Sequence, residues 1–324
     1  MIKNNFKKIL MSFALFIFVL VFLNSSGGRF MAESETVNSE PQKVLGLFGS
    51  ITSFGTAFQN ALQENGASFA ALNLSIVLSK SSGSQLESTF SGPIIYRQSR
   101  GRQKTSSLPR IASFIAIGQD DGFIGIYQNS VGNIITPHTS WLEKGEKIIV
   151  ESESQALSQN SWQMSVFDIN KSTWVNPLFF NTLTIADTAE PQLLSIAFHG
   201  VDFSNEYIYD TKLKPTMRVK QGKYRLGMEI LDRTQKGASL SGVHLFRILM
   251  DGVTVLEKKL DTMWASADGY AAFGNKPPSK NSIDANSRII VGELDLVRGI
   301  HVLDITASDF AGNATSVQLR LTVE

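Results

Sequence analysis

The chain holds four histidines, His138, His199, His244 and His301, and no cysteine. Zinc sites draw on Cys, His, Asp and Glu, so imidazole spacing is the first thing to read. No two histidines stand as His-x-His or His-x-x-x-His, and the plain reading is packing or surface histidines. His199-Gly200-Val201-Asp202 and His301-Val302-Leu303-Asp304 are His-x-x-Asp pairs. On a strand, residues three apart point to opposite faces. Without a thiol there is no cysteine nucleophile, no disulfide framework and no thiolate metal ligand. No Gly-rich phosphate loop precedes a helix, and no Gly-x-Ser-x-Gly elbow is present. Asp120-Asp121 could pair as carboxylates, but just before Gly122 they read as a solvated turn. Arg97, Arg100, Arg102 and Lys104, with Arg110 close by, form a basic run with no acid among them. Such a run is either a solvated loop or a contact for an anionic polymer or lipid headgroup.

The elements that must hold these residues follow from composition and pattern. The 324 residues are 43% hydrophobic and only 18% charged, which excludes bulk disorder and suggests about two domains. Lys3, Lys7 and Lys8 precede 15 residues, 9–23, in which only Ser12 is polar. That fits a secretory signal over 1–28, with small residues at Ser25, Ser26, Gly27 and Gly28, and falls short of the ~20 residues of a membrane span. The expectation is an exported chain with no membrane span after cleavage; a retained anchor is the alternative. Removing the signal leaves 27 basic against 29 acidic residues, a net of −2. Nucleic acid is therefore not singled out as a partner.

Residues 29–43 are polar and read as a linker. Beyond them, short apolar runs alternate with Gly, Asn, Asp and Ser, and the expected fold class is mainly β. Strands are expected over 111–117, 122–127, 147–150 and 164–169. Only 56–63 has a helix-like pattern. Further on, Tyr224, Leu226, Met228 and Ile230 alternate with Arg225, Gly227 and Glu229. Val317, Leu319, Leu321 and Val323 alternate in the same way, as half-buried strands do. Residues 243–250 are apolar on both faces except His244 and Arg247, as in an interior strand. Asp251-Gly252 then signals a hairpin. This spacing without a long helix indicates an antiparallel β-sandwich over 186–324, with the boundary at Asp187, Thr188, Glu190 and Pro191.

The order of motifs in 44–185 carries a resemblance. Phe48-Gly49 comes first, then Ala57-Phe58-Gln59-Asn60-Ala61-Leu62-Gln63, Leu108-Pro109, and Gly122-Phe123-Ile124-Gly125-Ile126-Tyr127. Leu142-Glu143-Lys144-Gly145-Glu146-Lys147-Ile148 and Phe167-Asp168-Ile169 follow, and Val175-Asn176-Pro177-Leu178 ends the series. The series resembles the lysostaphin/LytM-type cell-wall endopeptidases, zinc enzymes with a β-sheet core. In that family a His and an Asp four residues later bind zinc, together with the second His of a His-x-His. Here the first pair matches Gln59 and Gln63, and the His-x-His matches Met164-Ser165-Val166. The catalytic His of the Tyr-x-His strand matches Asn129. The resemblance with these substitutions implies a non-catalytic, zinc-free relative. Such a protein would bind peptidoglycan or a cell-wall hydrolase in the periplasm or cell envelope. An active endopeptidase with displaced ligands and a purely structural or adhesive exported protein are the alternatives. Residues 186–324 resemble the Ig-like sandwiches of bacterial exported proteins through Gly222-Lys223-Tyr224, Asp251-Gly252 and Asp309-Phe310-Ala311-Gly312-Asn313.

Overall fold

A computed structural model describes residues 44–53, 70–72, 75–79, 86–98, 113–129, 133–135, 140–151, 161–180, 187–201, 205–212, 216–234, 242–266, 269–272, 283–284, 286 and 288–324. The expected signal and linker (1–43) and the helix-like patch (56–63) lie outside these residues. The described chain is mainly β, with one 3-10 turn at Pro177–Phe179. It falls into two compact units. One holds Ser53 and the described part of Ser79–Met164, and the other holds Val44–Thr52, Ala70–Leu78 and Ser165–Glu324.

In the first unit, Ser113–Gly118 and Phe123–Asn129 form an antiparallel hairpin from Ser113↔Asn129 to Gly118↔Ile124. Gly122 turns the chain with φ +90, a conformation that suits glycine. Asp120 and Asp121 sit in this turn, where Asp121 Oδ1 accepts from Phe123 N at 3.3 Å. Gly92–Gln98 pairs with the other edge of Ser113–Gly118, and Trp141–Leu142 pairs beyond it. Phe114, Ile115, Ala116 and Ile117 are all buried, so this strand is apolar on both faces. A smaller sheet places Lys147–Glu151 between Leu86–Glu87 and Asn133–Ile135. Gly145, at φ +84, shapes the turn that leads into it.

In the second unit, the Phe48-Gly49 turn packs on Leu260 and Gly242. Gly49 has φ +82, and a Cβ there would enter the Leu260 side chain. Val44–Gly46 pairs antiparallel with the Ile76 strand. Thr173–Val175 pairs with the end of Ser161–Asp168 on one side and with Thr262–Ser266 on the other. Thr262–Ser266 in turn forms a hairpin with Gly269–Ala272.

The rest of this unit is two facing sheets. One runs in the order Glu206–Asp210, Gln192–Gly200, Gly222–Leu231, Ile289–Leu296. The other runs Thr216–Val219, Ala314–Val323, Gly299–Asp309, Val243–Met250, Val253–Lys259. Val243–Met250 is an interior strand, as its two apolar faces require. Thr216–Val219 lies parallel to its neighbour. Ile196, Phe198, Leu226 and Met228 bury the first sheet, and Phe246, Ile248, Leu303 and Leu321 the second. The faces meet where Leu256 lies over Gly292; a Cβ on that glycine would collide with the leucine. Asp251 (φ 52) and Gly252 (φ 80) both adopt positive φ, as a two-residue hairpin turn demands.

Candidate functional site

The motif-matched positions distribute unevenly. Gln59 and Gln63 lie outside the described residues. Asn129 ends the Phe123–Asn129 strand, with its backbone opposite Ser113. Met164 and Val166 lie on the Ser161–Asp168 strand, 4% and 0% exposed. Two residues apart on a strand, they share a face, and that face is buried. The Met164 thioether accepts from Thr89 Oγ1 at 3.4 Å. Val166 sits opposite Val175. The first is a soft, weak donor and the second offers no donor atom, so this strand does not fit the zinc ligation of the resembled family.

Around Met164 the first unit is filled with large side chains. Tyr127 and Phe90 are fully buried and meet edge to face, with ring centroids 6.5 Å apart. Gly125 lies beneath the Phe90 ring, where a Cβ would intrude. Burial pushes the Tyr127 phenol above its ordinary pKa, while hydrogen bonds from the 88–90 segment pull the other way. The tyrosine is therefore a neutral packing and anchoring group.

The end of the motif series is structural. Asn176 is buried, its side-chain oxygen accepts from Leu178 N at 3.0 Å, and its own N–H donates to Asp261 O. It caps the 3-10 turn begun by Pro177. Asp168 is 3% exposed and accepts from Lys171 N at 3.0 Å, closing the turn after its strand. Of the basic run, Arg97 is exposed on Gly92–Gln98 opposite Ile115. Arg100, Arg102 and Lys104 lie outside the described residues.

Three of the four histidines form contacts that sequence spacing did not reveal, and His138 lies outside the described residues. His199 on Gln192–Gly200 sets Nε2 3.0 Å from Asp284 Oδ2 and Nδ1 3.6 Å from Glu206 Oε1. The three could offer ligand atoms within 4.8 Å of one another. The arrangement nevertheless opposes a metal. The two ring nitrogens face different carboxylates, so no single ion on the ring reaches both favourably. Arg288, with its side chain 8% exposed, already places Nη1 2.8 Å from Glu206 Oε1 and 3.3 Å from Asp284 Oδ2. A fixed guanidinium supplies the positive charge and repels a dication. Asp284 is further held by backbone donors, with Oδ1 accepting from Asn286 N and Arg288 N. Gly227 leaves the space: a Cβ there would lie 3.0 Å from His199 Nε2.

His244 Nε2 lies 2.7 Å from Asp261 Oδ1, and its ring meets Phe310 and Phe179 edge to face. Phe179 is 52% exposed. His301 binds Asp251 and the Val297 carbonyl. Asp284 is 85 residues from His199, Asp251 is 50 from His301 and Asp261 is 17 from His244, so none of these pairs has the short spacing that a motif would show.

Among the described residues, no helix is long and apolar enough to cross a membrane. A protein-family model matches residues 190–324. No curated protein matches the chain. Chains from solved structures do match. One, from the crystal structure of the SpoIIIAH and SpoIIQ complex, is similar at 16% identity with a TM-score of 0.29, covering 46% of this chain and 99% of that one.

Proposed function

We propose that the chain is a non-catalytic, LytM-like protein of the cell envelope that binds peptidoglycan, with an Ig-like sandwich over its second half. The observation that carries the reading is the state of Met164 and Val166. At Val166, the position matched to the zinc-binding second His of the resembled enzymes, this strand presents a buried side chain with no donor atom, and Met164 two residues before it is buried as well. The ordered motif series and the export-type N-terminal sequence support the envelope assignment. An endopeptidase with displaced ligands would need another metal cluster. The best geometric candidate among the described residues, His199 with Glu206 and Asp284, carries Arg288 in its midst.

The test is co-sedimentation of the full chain with purified peptidoglycan sacculi, alongside elemental analysis. Saturable co-sedimentation with no stoichiometric zinc is expected. One zinc per chain together with cleavage of the sacculi overturns the reading in favour of the enzyme. Absence of binding to sacculi, with capture of a purified cell-wall hydrolase instead, moves the function to a partner enzyme. Absence of both leaves a structural or adhesive role.

A further inference from the structure

His301 lies where two turns of the second unit meet. Its Nδ1 is 2.7 Å from Asp251 Oδ2, in the hairpin turn between Val243–Met250 and Val253–Lys259. Its Nε2 is 3.0 Å from the Val297 carbonyl oxygen, in the turn that carries the chain from one sheet to the other. Only 13% of the side chain is exposed. Asp251 is anchored in turn, its Oδ1 accepting from Val302 N at 2.8 Å, and it holds a positive φ.

Both atoms facing the ring are acceptors without hydrogens. A neutral imidazole carries one N–H and satisfies one of them; the imidazolium carries two and satisfies both. We propose that His301 is a proton-operated latch: with a proton added, the ring ties the Asp251 turn to the Val297 turn, and on losing it the ring releases one of the two.

The surroundings leave the carboxylate in control. Across the sheet His301 faces Leu321, and the neighbouring Arg320 and Thr322 alternate onto the other side of that strand. Val243–Met250 brings Met250, which does not titrate, to the same end. Arg298 follows Val297 in the turn and is exposed. The terminal residue beyond Val323, Glu324, is engaged with Arg218. The bond to Asp251 is the main influence raising the affinity of the ring for its proton, with the Val297 carbonyl adding to it and partial burial opposing. The same bond holds the Asp251 carboxyl below its ordinary range.

The sign follows from both partners. Because the folded histidine binds its proton more tightly than the unfolded one, its contribution is complete below the ordinary value of about 6.5 and is lost as pH rises through the raised folded value. Because the folded aspartate is the stronger acid, its contribution is present above about 3.9 and fails as pH falls through its lowered folded value. The latch is tightest between roughly pH 4 and 6.5.

The test is NMR titration of the histidine ring signals of the full chain, with the His301 signal assigned by its loss in His301→Gln. In the parent, His301 titrates above an ordinary imidazole. In Asp251→Asn its proton affinity falls toward that of an ordinary imidazole, because the main bond that raises it is lost. In parallel, the parent gains resistance to urea on going from pH 8.5 to pH 6 relative to His301→Gln. An ordinary titration of His301 in the parent, unmoved by Asp251→Asn, overturns the proposal. So does a urea-resistance profile that is identical in parent and His301→Gln across this range.

Discussion

The backbone N–H of Thr89 donates to the Tyr127 hydroxyl across 2.6 Å, joining the 88–90 segment to the middle of the first unit. Tyr127 is also the aromatic residue of the strand that resembles the family's Tyr-x-His. Here it anchors a loop. Replacing it with Phe keeps the ring, which is fully buried, and leaves the Thr89 donor without its acceptor. A loss of about 1–2 kcal/mol in unfolding free energy is expected, read by urea denaturation. Loss of less than a few tenths would mean that water replaces the hydroxyl.

Gly242→Ala should be more damaging than an ordinary surface change. A Cβ at Gly242 would meet the Phe48 carbonyl oxygen and the backbone of Gly49 and Ser50. A backbone neighbour cannot swing aside as a side-chain tip can. The expected cost is about 2–3 kcal/mol, at the upper end for overpacking. Gly292→Ala, whose Cβ meets side-chain atoms alone, those of Leu256 and the end of Lys258, should cost less in the same denaturation series.

Arg288→Met removes the cation shared by Glu206 and Asp284 while roughly keeping side-chain volume. Breaking a fully buried ion pair costs about 3–5 kcal/mol. Glu206 is 40% exposed on its side chain, and water there reduces the expected loss to about 2 kcal/mol. Because the guanidinium occupies the position a metal would take, EDTA should leave the parent's thermal midpoint unchanged. A midpoint that falls in EDTA and returns with Zn2+ would show that His199, Glu206 and Asp284 hold an ion after all.

The basic run provides a test of polymer contact. Changing Arg97, Arg100, Arg102 and Lys104 together to Gln should weaken sedimentation with sacculi and leave the unfolding free energy within the range of surface changes, about 0.5 kcal/mol. Binding by the parent should also decline steeply between low and physiological salt, since exposed charges act through a screened field. Equal binding by mutant and parent at low salt would reduce the run to a solvated loop.

What could be read from the sequence was local. The Asp251-Gly252 hairpin, the Gly122 turn and the alternation of Leu319, Leu321 and Val323 depend on neighbouring residues whose chemistry is written side by side. Asn176-Pro177 was legible as a motif, although its role as a buried cap was not. The ionic cluster was illegible for the opposite reason. His199 and Asp284 are 85 residues apart, and Arg288 and Glu206 are 82 apart. Sheet register, rather than spacing, brings them together. The His301 latch is of the same kind: the His-x-x-Asp pair with Asp304 was visible in the sequence, while the partner that matters, Asp251, lies on another turn. The Thr216–Val219 strand is four residues long, too short for alternation to speak.

The Ala314–Val323 strand lies between Thr216–Val219 and Gly299–Asp309, and this has a consequence for biosynthesis. It is the last strand of its sheet to leave the ribosome, yet it occupies an interior place. Until it emerges, Thr216–Val219 has no partner in that sheet, because its register runs from Thr216↔Arg320 to Val219↔Val323. Closing a loop of about a hundred residues before the sheet can be completed makes folding slow and non-local. During synthesis Leu303 and Ile305 wait, unpaired on one side, for Leu319 and Val317. For the length of that wait the nascent chain offers an open strand edge to whatever chaperone or neighbouring chain reaches it first.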